Sequence, residues 1–208
     1  MYGKQNGQIF ASIFMLSIFM WAGIVHAQSD SPKQSLYDMG ILKPIDSVSL
    51  LRVGDKAPDF SLPAIGGIRV SLSQYLEKNN VVLSFVPAAR TSVCSAQWPE
   101  YAESKDVFDK NNTILLGISV DNLPTLHAWT ETMCVAEEGG PWFPVFSDFY
   151  PHGAVAKKYG VLRSDGITER ALFVIDKKGI IRYIDINDIN EVPPLKELVK
   201  ALEDLHSP

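Results

Sequence analysis

Asn80-Val81-Val82-Leu83-Ser84-Phe85-Val86 runs directly into Pro87-Ala88-Ala89-Arg90-Thr91-Ser92-Val93-Cys94, and this passage decides the architecture. Its first half is nearly continuous in apolar residues, which suits a strand covered on both faces rather than one with a wet side. Pro87 ends the strand, because proline has no N–H to give to a sheet ladder. A helical pattern resumes after Thr91 and continues to about Lys110. A buried strand, a proline-containing loop and a helix in that order make the opening of an α/β unit.

The rest of the chain repeats that alternation on either side. Upstream, strands are expected at 59–62 and 69–72, joined through Gly66-Gly67 as a small hairpin, with a short helix at 73–77. Downstream come a buried strand at 113–120, a helix at 124–133, a short strand at 145–146 and a helix beginning near Pro151. Strands at 170–175 and 180–184 face each other across the turn Asp176-Lys177-Lys178-Gly179. An amphipathic helix at 193–205, with Leu195, Leu198, Val199 and Leu202 on one stripe, closes the domain. The expected fold class is therefore α/β, a central mixed sheet flanked by helices, in one domain spanning 52–208. A chain of 208 residues with 46% hydrophobic and 21% charged residues has material for one such core. Its net charge of -5 provides no basic field for phosphate backbones, and no motif argues for a nucleic-acid partner.

The N-terminus reads differently. Lys4 precedes an apolar run from Ile9 to Val25, and Val25-His26-Ala27 is the small-x-small pattern that a signal peptidase accepts before Gln28. Residues 1–27 are expected to be a signal peptide, which makes the protein exported, periplasmic or otherwise extracytoplasmic. The alternative is an uncleaved membrane anchor, since the run is only slightly short of the roughly 20 apolar residues that span a bilayer. No cysteine stands near the cleavage site to carry a lipid. Residues 28–51 mix Ser, Asp, Pro and Lys with few apolar positions and read as an extended linker.

Chemistry concentrates at Cys94. The sulfur falls in the expected first turn of a helix, where backbone N–H groups and the positive end of the dipole favour an anion. A free thiol is only about 3% ionised at pH 7, and a helix terminus supplies at most about 2 kcal/mol. A reactive cysteine here also needs a cation or strong hydrogen-bond donors. Thr91 offers a hydroxyl three residues earlier, and Arg90 and Arg170 each offer a guanidinium.

These residues carry a family resemblance. Pro87-Ala88-Ala89-Arg90-Thr91-Ser92-Val93-Cys94 resembles the Pro-x-x-x-Thr-x-x-Cys motif of peroxiredoxins, placed as in that family after a Val-Val-Leu-Ser-Phe strand. Val53-Gly54-Asp55-Lys56-Ala57-Pro58-Asp59-Phe60 looks like the family's opening, and Glu169-Arg170-Ala171-Leu172-Phe173-Val174-Ile175-Asp176 looks like the strand with its active-site arginine. Ser147-Asp148-Phe149-Tyr150-Pro151-His152-Gly153 is similar to a segment of the one-cysteine-type bacterial branch of the alkyl hydroperoxide reductase and thiol-specific antioxidant family. The resemblance covers about 53–205. It implies a thioredoxin-like fold and a thiol-dependent peroxidase with no cofactor and no metal. Its partners would be a hydroperoxide substrate and a thioredoxin-like or low-molecular-weight thiol reductant, and the family often forms homodimers. Cys94 would be the peroxidatic nucleophile, Thr91 would bond peroxide and sulfur, Arg170 would hold the thiolate and the developing charge, and Pro87 would shield the sulfur. Two positions depart from the family: Arg90 stands where an aromatic is usual and is expected to point to solvent, and Gln97 stands where an acid is common.

The second cysteine leaves several readings open. Cys134 is a resolving thiol for a sulfenic acid at Cys94, a buried apolar filler, or half of a permanent disulfide. The competing functions are an exported thiol-disulfide oxidoreductase and a non-catalytic redox sensor. The first lacks its second cysteine, because Gln97 occupies the place a Cys-x-x-Cys pair would need. A cysteine hydrolase would draw its base from His127, His152 or His206, none of which has supporting context. Trp98 is expected in the core.

Overall fold

Gly66 and Gly67 both take positive φ, 93° and 82°, which lets the chain reverse between β1 (Ser61–Pro63) and its antiparallel partner β2 (Arg69–Ser71). One 3-10 turn, Leu72–Gln74, stands in place of the helix expected at 73–77. The computed structural model describes residues 36–133 and 140–205. The apolar N-terminal run, Cys134 and His206 lie outside them.

The elements that follow are β3 (Asn80–Phe85), α1 (Cys94–Glu103), α2 (Lys105–Lys110), β4 (Thr113–Ser119), α3 (Leu123–Thr130) and β5 (Val145–Ser147). Then come α4 (Ala154–Tyr159), β6 (Arg170–Ile175), β7 (Ile181–Asn187) and α5 (Leu195–Asp204). The main sheet has the order β5-β4-β3-β6-β7. β3, β4 and β5 run parallel, while β6 opposes β3 and β7 opposes β6, so the sheet is mixed as expected.

Alternation along the central strands divides the core in two. Val81, Leu83 and Phe85 of β3 join Ala171, Phe173 and Ile175 of β6 on the face covered by β1, β2 and α4. Val82 joins Leu172 and Val174 on the opposite face, with Trp98 and Tyr101 of α1, Phe108 of α2, Trp129 of α3 and Leu198 of α5. Arg170 shares the parity of Leu172 and Val174, so the pleat turns it toward the α1 face. Trp98 stacks on Trp129 at 4.8 Å and donates to the Ser84 hydroxyl, a core role as expected.

Two boundaries differ from the sequence expectation. The helix expected to reach Lys110 breaks at Ser104, whose hydroxyl donates to the Glu100 carbonyl at 2.8 Å and so competes with the helical ladder. The helix expected from Pro151 begins at Ala154, because its first amides are capped from a distance. The buried Asp148 carboxylate accepts from the N–H groups of Val155 and Ala156 at 2.9 and 2.8 Å, and Gly153 turns the chain with φ 62°.

Residues 36–51, expected to be an extended linker rather than a packed element, are extended and bound along the domain. The Tyr37 N–H donates to the Arg90 carbonyl at 2.9 Å. Leu42 and Asn190 exchange two bonds, backbone N–H to Oδ1 and Nδ2 to carbonyl, each 2.9 Å. The buried Glu169 carboxylate accepts from the N–H groups of Asp46 and Ser47 at 2.6 and 2.7 Å and from Arg163 at 2.9 Å.

Candidate active site

The backbone of the loop between β3 and α1 is held by side chains from elsewhere in the domain. The Val86 carbonyl accepts from the Thr168 hydroxyl at 2.7 Å, and the Ala89 N–H donates to Asp121 at 2.8 Å. Arg90 makes the turn with a φ of 60°, a left-handed conformation rare for a residue with a Cβ and characteristic of constrained functional loops. Its side chain is half-buried, with the guanidinium donating to the Ala128 carbonyl at 2.7 Å. The expected solvated Arg90 is thus replaced by a bracket between the loop and α3.

Cys94 is the first residue of α1, a free thiol and fully buried. The helix start supplies its sulfur less than the sequence suggests, because the chain is already turning at Thr91. The N–H of Ser95 goes to the Thr91 carbonyl, and those of Ala96 and Gln97 go to the Val93 carbonyl. The cation is Arg170. Its Nη2 lies 3.5 Å from the Cys94 sulfur and 3.1 Å from the Ile189 carbonyl, and its Nη1 donates to Gln97 Oε1 at 2.6 Å. Arg170 is itself buried, and its Nε has no hydrogen-bond partner among the described residues.

Gln97 is the member of this cluster that the sequence reading did not include. It is fully buried, holds Arg170 with its oxygen and donates its Nε2 to the Tyr101 hydroxyl at 3.1 Å. Burial pushes the Tyr101 phenol up, so its hydroxyl stays neutral. The available signal was position: three residues after Cys94 on a helix, Gln97 shares its face.

Thr91 is buried, and its hydroxyl donates to the Ala88 carbonyl at 3.1 Å, which leaves the oxygen's lone pairs free. Pro87, Thr91 and Arg170 line a cavity of about 270 Å³ together with the chain from Asp38 to Leu42, Ile189 and Asn190. Among the described histidines, His152 bonds the Gly166 carbonyl and His127 pairs with Glu131, both exposed. Neither forms a base at Cys94.

A family model described as the AhpC/TSA family matches residues 53–184. The chain belongs to the AhpC/TSA family. It is 38% identical over 157 residues to alkyl hydroperoxide reductase E of Mycobacterium tuberculosis, covering 75% of this chain and 99% of that one. It is 36% identical over 160 residues to a chloroplastic 2-Cys peroxiredoxin of Hordeum vulgare, covering 74% of each. Among solved structures, the reduced 2-Cys peroxiredoxin of Plasmodium vivax is similar with a TM-score of 0.66 and 28% identity, over 74% of this chain and 81% of that one. A yeast mitochondrial 1-Cys peroxiredoxin is similar with a TM-score of 0.67 and 27% identity, over 75% and 76%. As a member of the AhpC/TSA family, the chain has the thioredoxin-like fold of peroxiredoxins and is a thiol-dependent enzyme that reduces hydroperoxides. Its two reactants are a hydroperoxide and a thiol reductant.

Proposed function

We propose that Cys94 is the peroxidatic nucleophile of this peroxiredoxin, with Arg170, Thr91 and Pro87 forming its reaction chamber. The observation that carries the reading is the Arg170 Nη2 contact, 3.5 Å from a buried free thiol, made by a residue that also lines a cavity with Thr91 and Pro87. The guanidinium favours the thiolate, which attacks one peroxide oxygen. An S–O bond forms as the O–O bond breaks. The sulfur loses two electrons and becomes a sulfenic acid, while the other oxygen takes a proton and leaves as an alcohol or water. Arg170 faces the charge that develops on the departing oxygen, and its unpartnered Nε is a donor available to it. Thr91 offers free lone pairs to the peroxide hydrogen, and Pro87 keeps bulk water from the sulfur.

A thiol then attacks the sulfenic acid, forming a disulfide and releasing water, and a second thiol restores Cys94. The similar proteins include both one-cysteine and two-cysteine peroxiredoxins. The source of the first thiol is therefore a property of this chain: Cys134, or an external thioredoxin-like or low-molecular-weight thiol. The apolar run before Val25-His26-Ala27 supports export, with the enzyme free or tethered by that segment, and a homodimer accords with the habit of the family.

Intact mass after one equivalent of hydrogen peroxide, with a sulfenic-acid trap, tests the reading on the native chain, Cys94→Ser and Cys134→Ser. The expected result is one trapped oxygen in Cys134→Ser and none in Cys94→Ser. A native chain that instead loses two protons makes Cys134 the resolving thiol, and one that is trapped like Cys134→Ser makes the reductant external. Oxidation of Cys94→Ser equal to the native chain overturns the assignment.

A further inference from the structure

Arg90 is one of the positions at which the chain departs from its family, and its backbone is strained. A φ of 60° is unfavourable for any residue with a Cβ. Arg90 is held in that conformation from both ends. The Tyr37 N–H donates to its carbonyl at 2.9 Å, and its own Nη2 donates to the Ala128 carbonyl at 2.7 Å. The second acceptor lies where α3 runs out. Thr132, whose N–H would meet the Ala128 carbonyl in a continued helix, donates instead to the Trp129 carbonyl at 3.0 Å. The guanidinium takes the place of that backbone donor, with a charge that suits a helix C-terminus. The aromatic residue usual at this position carries no such charge, so the contact is a property of this chain.

The helix that Arg90 grips is also the one against which Cys94 is set. Trp98, one turn after Cys94 on α1, stacks on Trp129 of α3, and both rings are buried. Cys94 is thus placed relative to α3 through Trp98, and Thr91 through Arg90. Thr91 directly follows the strained residue, so the torsions of Arg90 decide where its hydroxyl lies. A peroxide must meet the sulfur and this hydroxyl at once, and a misplacement of about 1 Å can slow an oriented reaction about a hundredfold. The charge beside the sulfur has a separate source, since Arg170 reaches it from β6.

Resting on the peroxidase reading above, we infer that Arg90 is a positioning residue of this enzyme. Its bond to the Ala128 carbonyl fixes Thr91 against Cys94 and speeds attack on the peroxide without changing the reactivity of the sulfur itself.

The test uses the full chain carrying Cys134→Ser, so that one thiol reports, and compares it with the same chain carrying Arg90→Ala, Arg90→Gly or Arg90→Lys. Two rate constants of Cys94 are measured at pH 7: oxidation by hydrogen peroxide, and alkylation by iodoacetamide, which needs the thiolate but not Thr91. Arg90→Ala is expected to lower the peroxide rate at least about tenfold and to leave the iodoacetamide rate within about twofold. Arg90→Gly takes positive φ freely but has no mount on α3, and it is expected to show the same split. Arg90→Lys, whose ammonium can donate to the same carbonyl, is expected to keep the peroxide rate within about threefold. Peroxide rates in Arg90→Ala and Arg90→Gly equal to that of the parent overturn the inference. So does a parallel fall of both reactions, which would make Arg90 a second cation for the sulfur. In either case oxidation of the parent by hydrogen peroxide leaves the peroxidase reading standing, and if the parent is not oxidised both readings fall together.

Discussion

Arg170 directs hydrogen bonds to Gln97 Oε1, the Cys94 sulfur and the Ile189 carbonyl, and its Nε has no partner among the described residues. An uncharged partner orients a guanidinium without neutralising it, so its full charge acts on the sulfur. Gln97→Glu places a carboxylate within that contact and is expected to slow alkylation of Cys94 by iodoacetamide at pH 7 by about tenfold, equivalent to about 1.4 kcal/mol. Gln97→Leu removes the acceptor from a buried Nη1 and is expected to cost about 1–3 kcal/mol in urea unfolding. The sequence named Cys94, Thr91, Pro87 and Arg170 as the candidate site, because a short motif and a strand signature bring them with it. The Gln97 contact was not legible there: helical spacing puts Gln97 beside Cys94, but nothing in spacing links it to a residue 73 positions away. Arg90 was misread for a related reason. Its partner is a backbone carbonyl on α3, and carbonyls leave no trace in the pattern of side chains.

The strands were the most legible elements, since burial on both faces leaves a nearly unbroken apolar run at β3, β4 and β6. Helix ends were less so. Asp148 caps α4 from the end of β5 across an intervening loop, whereas the sequence offered Pro151 as the local start signal. Gly117 in β4 illustrates a residue whose reason is packing alone. A Cβ there would lie 2.8 Å from Cζ2 and 2.9 Å from Cη2 of Trp98, and 3.3 Å from Phe143. Trp98 is stacked on Trp129 and cannot withdraw without disturbing α3. Gly117→Ala is therefore expected to destabilise by about 1–3 kcal/mol in urea unfolding, despite the better strand entropy of alanine.

At the scale of the whole molecule, residues 36–51 are where the sequence reading fell furthest short. Their Ser, Asp, Pro and Lys residues read as a linker rather than a packed element, but the acceptors that bind it, Glu169 and Asn190, lie more than a hundred residues away. Their effect is measurable through Asp46. Hydrogen bonds from the Ser164 hydroxyl and N–H, with Lys43 beside them, hold its carboxyl well below the usual carboxylate range. A carboxyl depressed in the folded state contributes stability that is present above its unfolded value of 3.8 and lost as pH falls through the folded one. The urea midpoint of the native chain is thus expected to exceed that of Asp46→Asn by a constant amount from pH 7 to 4, and the gap to narrow below 3.8. Equal midpoints at neutral pH, or a gap that widens in acid, would contradict this. One structural detail sets the precision of the arrangement. Glu169 and Arg170 are consecutive residues, the first gripping the N-terminal segment and the second the sulfur. Placement error normally accumulates along the contacts that separate two parts. Here the Arg170 contact with the Cys94 sulfur and the anchor of the N-terminal segment are referenced to a single peptide unit, so drift at the start of β6 displaces both together and their alignment tolerates motion that would separate independently mounted parts.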